Sequence, residues 1–190
     1  TVAAVGRANP FISRFLEAVE HFEPVDDPAG ADILIAVGQS LPPGVGGIVF
    51  DSPDAPRHWR RAEEAAGPIV LGDADRMPRS PLLDGVYLSG VAVRRMQPLW
   101  PLGADVPGLP LVRLPTGVAV LLWPSPRRVY VAVDPSPANT NWGLDESFPI
   151  LLENGLQWIS AERNGRRWGR VAGVVALPSA GASDPAVAGS

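Results

Sequence analysis

The chain has 190 residues, a formal net charge of −4, 46% hydrophobic and 19% charged residues, and no cysteine. That length suits one domain with a well-buried core, and the apolar content separates it from disordered sequences. The acidic balance opposes broad nucleic-acid binding, and the missing cysteines exclude disulfides, zinc–thiolate sites and a thiol nucleophile.

Residues 2–5 (VAAV) run into Gly6 and predict a short buried strand. Asn9 and Pro10 then supply an N-cap and a first-turn proline for a helix. Phe11, Ile12, Phe15, Leu16, Val19 and Phe22 follow at helical spacing and make its apolar face. Residues 32–37 (DILIAV) and 47–50 (GIVF) predict two more buried strands, each stopped by turn residues. Residues 56–66 predict a short helix, capped by Ser52 or Asp54, that turns Trp59, Ala62 and Ala66 inward. Residues 68–71 (PIVL) read as a fourth strand. Strands alternating with helices predict a parallel sheet covered on both faces.

Beyond residue 80 the pattern changes. Residues 86–93 (VYLSGVAV), 110–114, 118–123 and 128–133 are strand-like, with Pro-Thr-Gly and Pro-Ser-Pro between some of them. They predict an antiparallel extension of the sheet. A last helix begins near Ser147, takes Pro149 in its first turn and reaches about Ile159. Phe148, Leu151, Leu152, Gly155, Leu156 and Ile159 form its packing face. Arg163, Arg166, Arg167 and Arg170 surround Trp168, and an Ala/Gly/Ser/Val-rich tail follows. The organisation expected is therefore a domain over 1–162 and a basic linker with a low-complexity tail over 163–190. No run approaches the roughly 18 apolar residues of a membrane span, so a soluble domain is expected, with any anchor outside this sequence.

Motifs for common chemistries are missing. Gly44-Val45-Gly46-Gly47 lacks the trailing glycine of a dinucleotide loop, and no Gly-Lys-Ser/Thr is present. Gly38-Gln39-Ser40 is followed by Leu41-Pro42, which breaks a nucleophile elbow. His21 and His58 stand apart in sequence and read as structural or surface residues. Asp51 with Asp54, and Asp73 with Asp75, flank strand ends, where α/β ligand sites form. Carboxylates there can hold a metal through oxygen, but aspartates at strand ends more often make turns and caps, and no metal is assigned. The loop over 131–142 (VAVDPSPANTNW) is the most unusual polar stretch. The candidate pocket is therefore Asp51, Asp73, Asp134, Ser136, Asn139 and Asn141, with Trp142 as a wall. Turn-making accounts for the same polar residues. The basic stretch beyond residue 162 can meet anionic lipid or RNA, or form a solvated face.

Two stretches carry a family resemblance. One is Val5-Gly6-Arg7-Ala8-Asn9-Pro10-Phe11-Ile12, followed by a helix. The other runs from the strand ending near Asp134, through the polar loop, into a helix bearing Phe148, Pro149, Asn154 and Trp158. Together they resemble the glutamine-amidotransferase-like domain of bacterial aerotolerance-type membrane proteins, which also carry a von Willebrand factor A domain and transmembrane helices. The similarity spans roughly 1–162. It implies an α/β fold: a flavodoxin-like, class I glutamine-amidotransferase-like three-layer sandwich, mostly parallel with an antiparallel extension.

True class I amidotransferases use a cysteine at a strand-to-helix elbow and a late His-x-Glu arrangement. Here cysteine is absent, and Asp134-Pro135-Ser136 stands where the histidine motif is expected. No catalytic residue and no cofactor carry over. The resemblance implies a pseudoenzyme: a binding or assembly module of a membrane-anchored parent, with protein partners, on the extracytoplasmic side. Two alternatives remain at this stage. One is a small-ligand sensor that uses the sheet-edge pocket. The other is a hydrolase centred on the Asp134–Ser136 loop, which needs a base such as His21 or His58 brought to Ser136.

Overall fold

A computed structural model describes residues 1–71, 75–76 and 80–163. Asp73 and the expected tail beyond residue 163 lie outside the described residues. In chain order the elements are β1 (Val2–Gly6), α1 (Pro10–Ala18), β2 (Ile33–Val37), β3 (Gly46–Phe50), β4 (Trp59–Arg61) and β5 (Ala65–Val70). There follow β6 (Asp75–Arg76), β7 (Ala92–Met96), β8 (Leu99–Pro101), β9 (Leu109–Leu114), β10 (Gly117–Pro124), β11 (Arg127–Val131) and α2 (Ser147–Arg163).

The fold is mixed α/β, with a parallel block that forms one side of its main sheet, from the edge strand β1 inward. Strands β1, β2, β3 and β11 lie side by side and parallel. Beyond β11 the sheet continues antiparallel through β10 to β8 and β4, with β9 also on β10 and β6 on β9. The expected antiparallel extension is thus present. Strands β5 and β7 form a separate two-stranded ribbon.

Strand β2 (ILIAV) is buried at every position, as befits a strand flanked on both sides and covered on both faces. Its alternation divides the core in two. Ile33, Ile35 and Val37 join Ile48, Phe50, Val129 and Val131 under the helices. Leu34 and Ala36 join Val49 and Tyr130 on the reverse face.

Helix α1 starts where the sequence predicts. The Asn9 side chain accepts from the backbone N–H of Phe11 at 3.0 Å and of Ile12 at 3.1 Å. Its Nδ2 donates to the Pro135 carbonyl at 3.0 Å, so one buried side chain caps the helix and anchors the 134–136 loop. Asn9→Ala is expected to lower stability by about 1–2 kcal/mol, the scale of a lost N-cap. Urea denaturation measures this, and an unchanged midpoint would contradict it. Helix α2 buries the packing face read from sequence, from Phe148 through Leu151, Leu152 and Leu156 to Ile159.

Four expectations need correction. Both helices contribute to the same apolar cluster, so they share one face of the sheet. Among the described residues the reverse face is covered by loops and strand side chains, including Leu41, Trp59, Leu99 and Val106. The connection from β2 to β3, residues 38–45, crosses this face without a helix. It is pinned there by Arg128, whose Nε donates to the Val45 carbonyl at 2.8 Å and whose Nη2 donates to that of Pro42.

Residues 56–66 hold no helix. His58 has a positive φ of 67°, a backbone state an α-helix cannot contain. Trp59, Arg60 and Arg61 instead pair with Pro101, Trp100 and Leu99. The buried Trp59 ring, read correctly as inward, donates its indole N–H to the Pro107 carbonyl at 2.7 Å. Long-range pairing has overridden a helical spacing of apolar side chains.

Residues 68–71 belong to no parallel strand. Ile69 and Val70 pair antiparallel with β7, after a register shift between Ala66 and Ile69. Pro68, which cannot donate a ladder hydrogen bond, falls inside that irregularity. Residues 86–93 are interrupted at Ser89-Gly90, where Val91 N–H closes onto the Leu88 carbonyl at 3.0 Å, so β7 begins only at Ala92.

Candidate functional site

The C-terminal ends of the four parallel strands meet at one edge. The ladder continues past each strand: Arg7 N–H donates to the Val37 carbonyl, Gly38 N–H to Phe50 and Asp51 N–H to Val131, each at 2.9 Å. Two glycines make this possible. Gly6 has φ +88°, and a Cβ there would lie 2.2 Å from the Val37 oxygen. Gly38 has φ +67°, and a Cβ there would lie 2.4 Å from Nε of Arg7. The arginine therefore lies across a position that only glycine leaves open.

From there the Arg7 guanidinium reaches two aspartates, Oδ2 of Asp51 at 2.6 Å and Oδ2 of Asp134 at 3.2 Å. Arg61 takes the other oxygen of Asp51 at 2.8 Å and also donates to the Ser52 carbonyl. The second oxygen of Asp134 accepts the Ser136 backbone N–H at 3.0 Å. Both carboxylates are thus engaged through both oxygens, and the two arginines balance the two aspartates. Asp51 is held at φ +46°, the left-handed region that non-glycine residues enter at a cost of roughly 1–2 kcal/mol. Its backbone bond to Val131 and its two guanidinium partners hold it there.

The void beside Asp51, Ser52, Asp54 and Arg61 measures about 10 Å³, on the order of one water. Among the described residues no group of three or more His, Cys, Asp or Glu is placed to hold a metal ion. A cation at Asp51 would also meet two guanidinium groups.

The residues expected to line a pocket divide. Asp51 and Asp134, distant in sequence, come together through Arg7. Ser136 joins them by its backbone N–H only. Its hydroxyl hydrogen-bonds to no titratable side chain among the described residues. His21 is exposed beside residues 23–25, which pair with the opposite end of β1, and His58 is exposed on the turn before β4.

Asn139 and Asn141 are scaffold rather than pocket lining. Asn139 donates to the Asp134 carbonyl at 3.0 Å and accepts from Arg95 N–H through its side chain at 3.0 Å. Asn141 accepts from Ala92 N–H and donates to the Gly90 carbonyl, both at 2.8 Å. These amides stitch the loop to β7 as a strand partner would, satisfying backbone groups with side chains.

Trp142 is no wall. It is fully buried, its indole N–H donates to Ser147 Oγ at 3.1 Å, and its ring meets Phe148 edge-on at 5.8 Å between centroids. Asp73 lies outside the described residues.

Sequence reading missed Arg7 and Arg61. Arg7 carried a usable signal, since it follows a strand-terminating glycine at the edge where α/β sheets gather their sites. Arg61 carried none, because its segment read as helix.

Arg7→Ala should lower stability by only about 1 kcal/mol, since the guanidinium is half-exposed and solvent screens the pairs. That loss should shrink in high salt, which paired urea titrations at low and high ionic strength will show.

Comparison with protein-family models, characterised proteins and solved structures returned no match. No helix among the described residues is long and apolar enough to cross a membrane.

Proposed function

We propose that this chain is a non-catalytic, glutamine-amidotransferase-like domain of flavodoxin-like fold, acting as a binding or assembly module of a membrane-anchored protein. The observation that carries this reading is the closed charge cluster at the sheet edge. Where an amidotransferase needs a free nucleophile and base, Arg7, Asp51, Arg61 and Asp134 bind one another. Supporting it are the absence of cysteine from the whole chain and the replacement of the amidotransferases' late histidine motif by Asp134-Pro135-Ser136. The half-exposed Arg7 and the exposed surface around it remain open for a protein partner, and the extracytoplasmic side follows from the resemblance. The hydrolase alternative loses support because Ser136 lacks a base among the described residues.

Two measurements test this reading. Ammonia release from glutamine should stay at the blank rate, and turnover abolished by Asp134→Ala would overturn the non-catalytic half. Detergent-solubilised membranes from the native cell, run on native gels, should show a complex that Arg7→Glu makes smaller. A complex that keeps its size in Arg7→Glu and also when residues 1–163 are deleted would overturn the assembly half.

A further inference from the structure

A second recess lies on the loop-covered face, next to the charge cluster: it shares Ser52 and Asp54 with the small void there but is lined by none of Arg7, Asp51, Arg61 and Asp134. It measures about 320 Å³, within the range of small-molecule sites, roughly 300–1,000 Å³. Trp123 and Tyr130 supply aromatic surface and Leu41 an apolar floor.

Its polar groups are arranged in advance. Ser40 Oγ donates to Asp54 Oδ2 at 2.6 Å and lies 3.4 Å from Ser52 Oγ. Arg128 is fixed by the carbonyls of Val45 and Pro42 and by the Tyr130 hydroxyl at 3.4 Å. Those bonds use three of the five N–H donors of a guanidinium, leaving two. Arg57 also lines the recess, is exposed, and pairs with no group among the described residues.

The charge balance points one way. Arg57 and Arg128 face a single carboxylate, Asp54, which is already engaged by Ser40. The recess is thus locally positive in a chain of net charge −4. Guanidinium groups with free donors beside an aromatic surface suit a molecule that combines an anionic group with a flat apolar body. Serine hydroxyls add donors and acceptors that orient such a ligand.

We infer that this recess binds a small ring-bearing organic anion, a phosphate or carboxylate ester or acid, with the anion on Arg57 and Arg128 and the ring against Trp123. The inference does not depend on the assembly reading, because it uses none of the four residues of the charge cluster.

Calorimetric titration of the full chain tests it with phenyl phosphate, benzoate, inorganic phosphate and phenol. Saturable one-to-one binding is expected for phenyl phosphate or benzoate, and the tighter of the two identifies the anionic group. Inorganic phosphate and phenol should each bind at least about tenfold more weakly, because each lacks half of the recognition. Arg57→Glu, a surface change that should leave the urea midpoint intact, is expected to weaken binding by about tenfold or more. Arg7→Glu should leave it unchanged. Absence of saturation by either ring-bearing anion up to on the order of 10 mM would overturn the proposal. So would equal affinity in the Arg57→Glu protein, or an equal loss in Arg7→Glu.

Discussion

Trp142→Ala is expected to lower stability by about 3–5 kcal/mol, the cost of truncating a buried tryptophan. The ring has no exposed surface, packs on Phe148 and satisfies its only donor on Ser147. Removing it opens a cavity between α2 and the 134–142 loop, and Phe148, itself buried against Phe50 and Phe11, loses one of three aromatic neighbours. For a domain of this size the melting temperature should fall by roughly 10 °C or more. Calorimetry or urea unfolding will measure this. A loss below about 1 kcal/mol would mean that the ring faces a solvent-filled pocket, as its place in a polar loop first suggested.

Gly6→Ala should be comparably severe, at about 3 kcal/mol or more. The added methyl would sit 2.2 Å from the Val37 carbonyl oxygen, with φ at +88°. The obstructing atom is backbone within a parallel pair, so no rotamer change relieves it, and overpacking adds to left-handed strain. The change also displaces Arg7 and with it both ion pairs. Gly30→Ala is the matching control, because nothing lies within 4 Å of its Cβ position. It should stay within about 0.5 kcal/mol of the parent. Should Gly6→Ala behave like Gly30→Ala, the close approach of β1 to β2 would be wrong.

Much of this architecture could be read from residues 1–50 and 110–160, because their signals are local. Asn9-Pro10 states a helix start in capping chemistry, uninterrupted apolar runs state buried parallel strands, and the Phe148–Ile159 spacing states a packed helix face. The stretch from 56 to 101 resisted reading because pairing decides it. Trp59-Arg60-Arg61 has no strand signature of its own and becomes one only against Leu99–Pro101. The helices' common face was hidden for a similar reason, since a periodic pattern says that a face is buried but not on which side. The candidate site was half visible. Aspartates at strand ends marked the right edge, and Asp51 and Asp134 do converge there. Asn139, Asn141 and Trp142 misled because turn-forming amides and a tryptophan look alike in sequence whether they line a pocket or build a loop.

The short 38–45 connection bears on the order in which this sheet can assemble. Closure entropy rises with the length of chain enclosed, so β2 and β3 meet at lower cost than β3 and β11, which enclose the whole chain between Phe50 and Arg127. The pairing of Ile48 with Val129 is therefore a seam between an early N-terminal half and the β9–β10–β11 meander. Arg7, Asp51 and Asp134 sit across the end of that seam, with Arg7 and Asp51 from one half and Asp134 from the other. The Arg7–Asp134 pair cannot form until the seam has closed, whereas Arg7–Asp51 lies within one half. Weakening the pair across the seam is expected to speed unfolding rather than slow folding, and the two limbs of a chevron plot for Asp134→Ala will separate those effects. On that account the Arg7–Asp134 pair is a latch on the finished sheet.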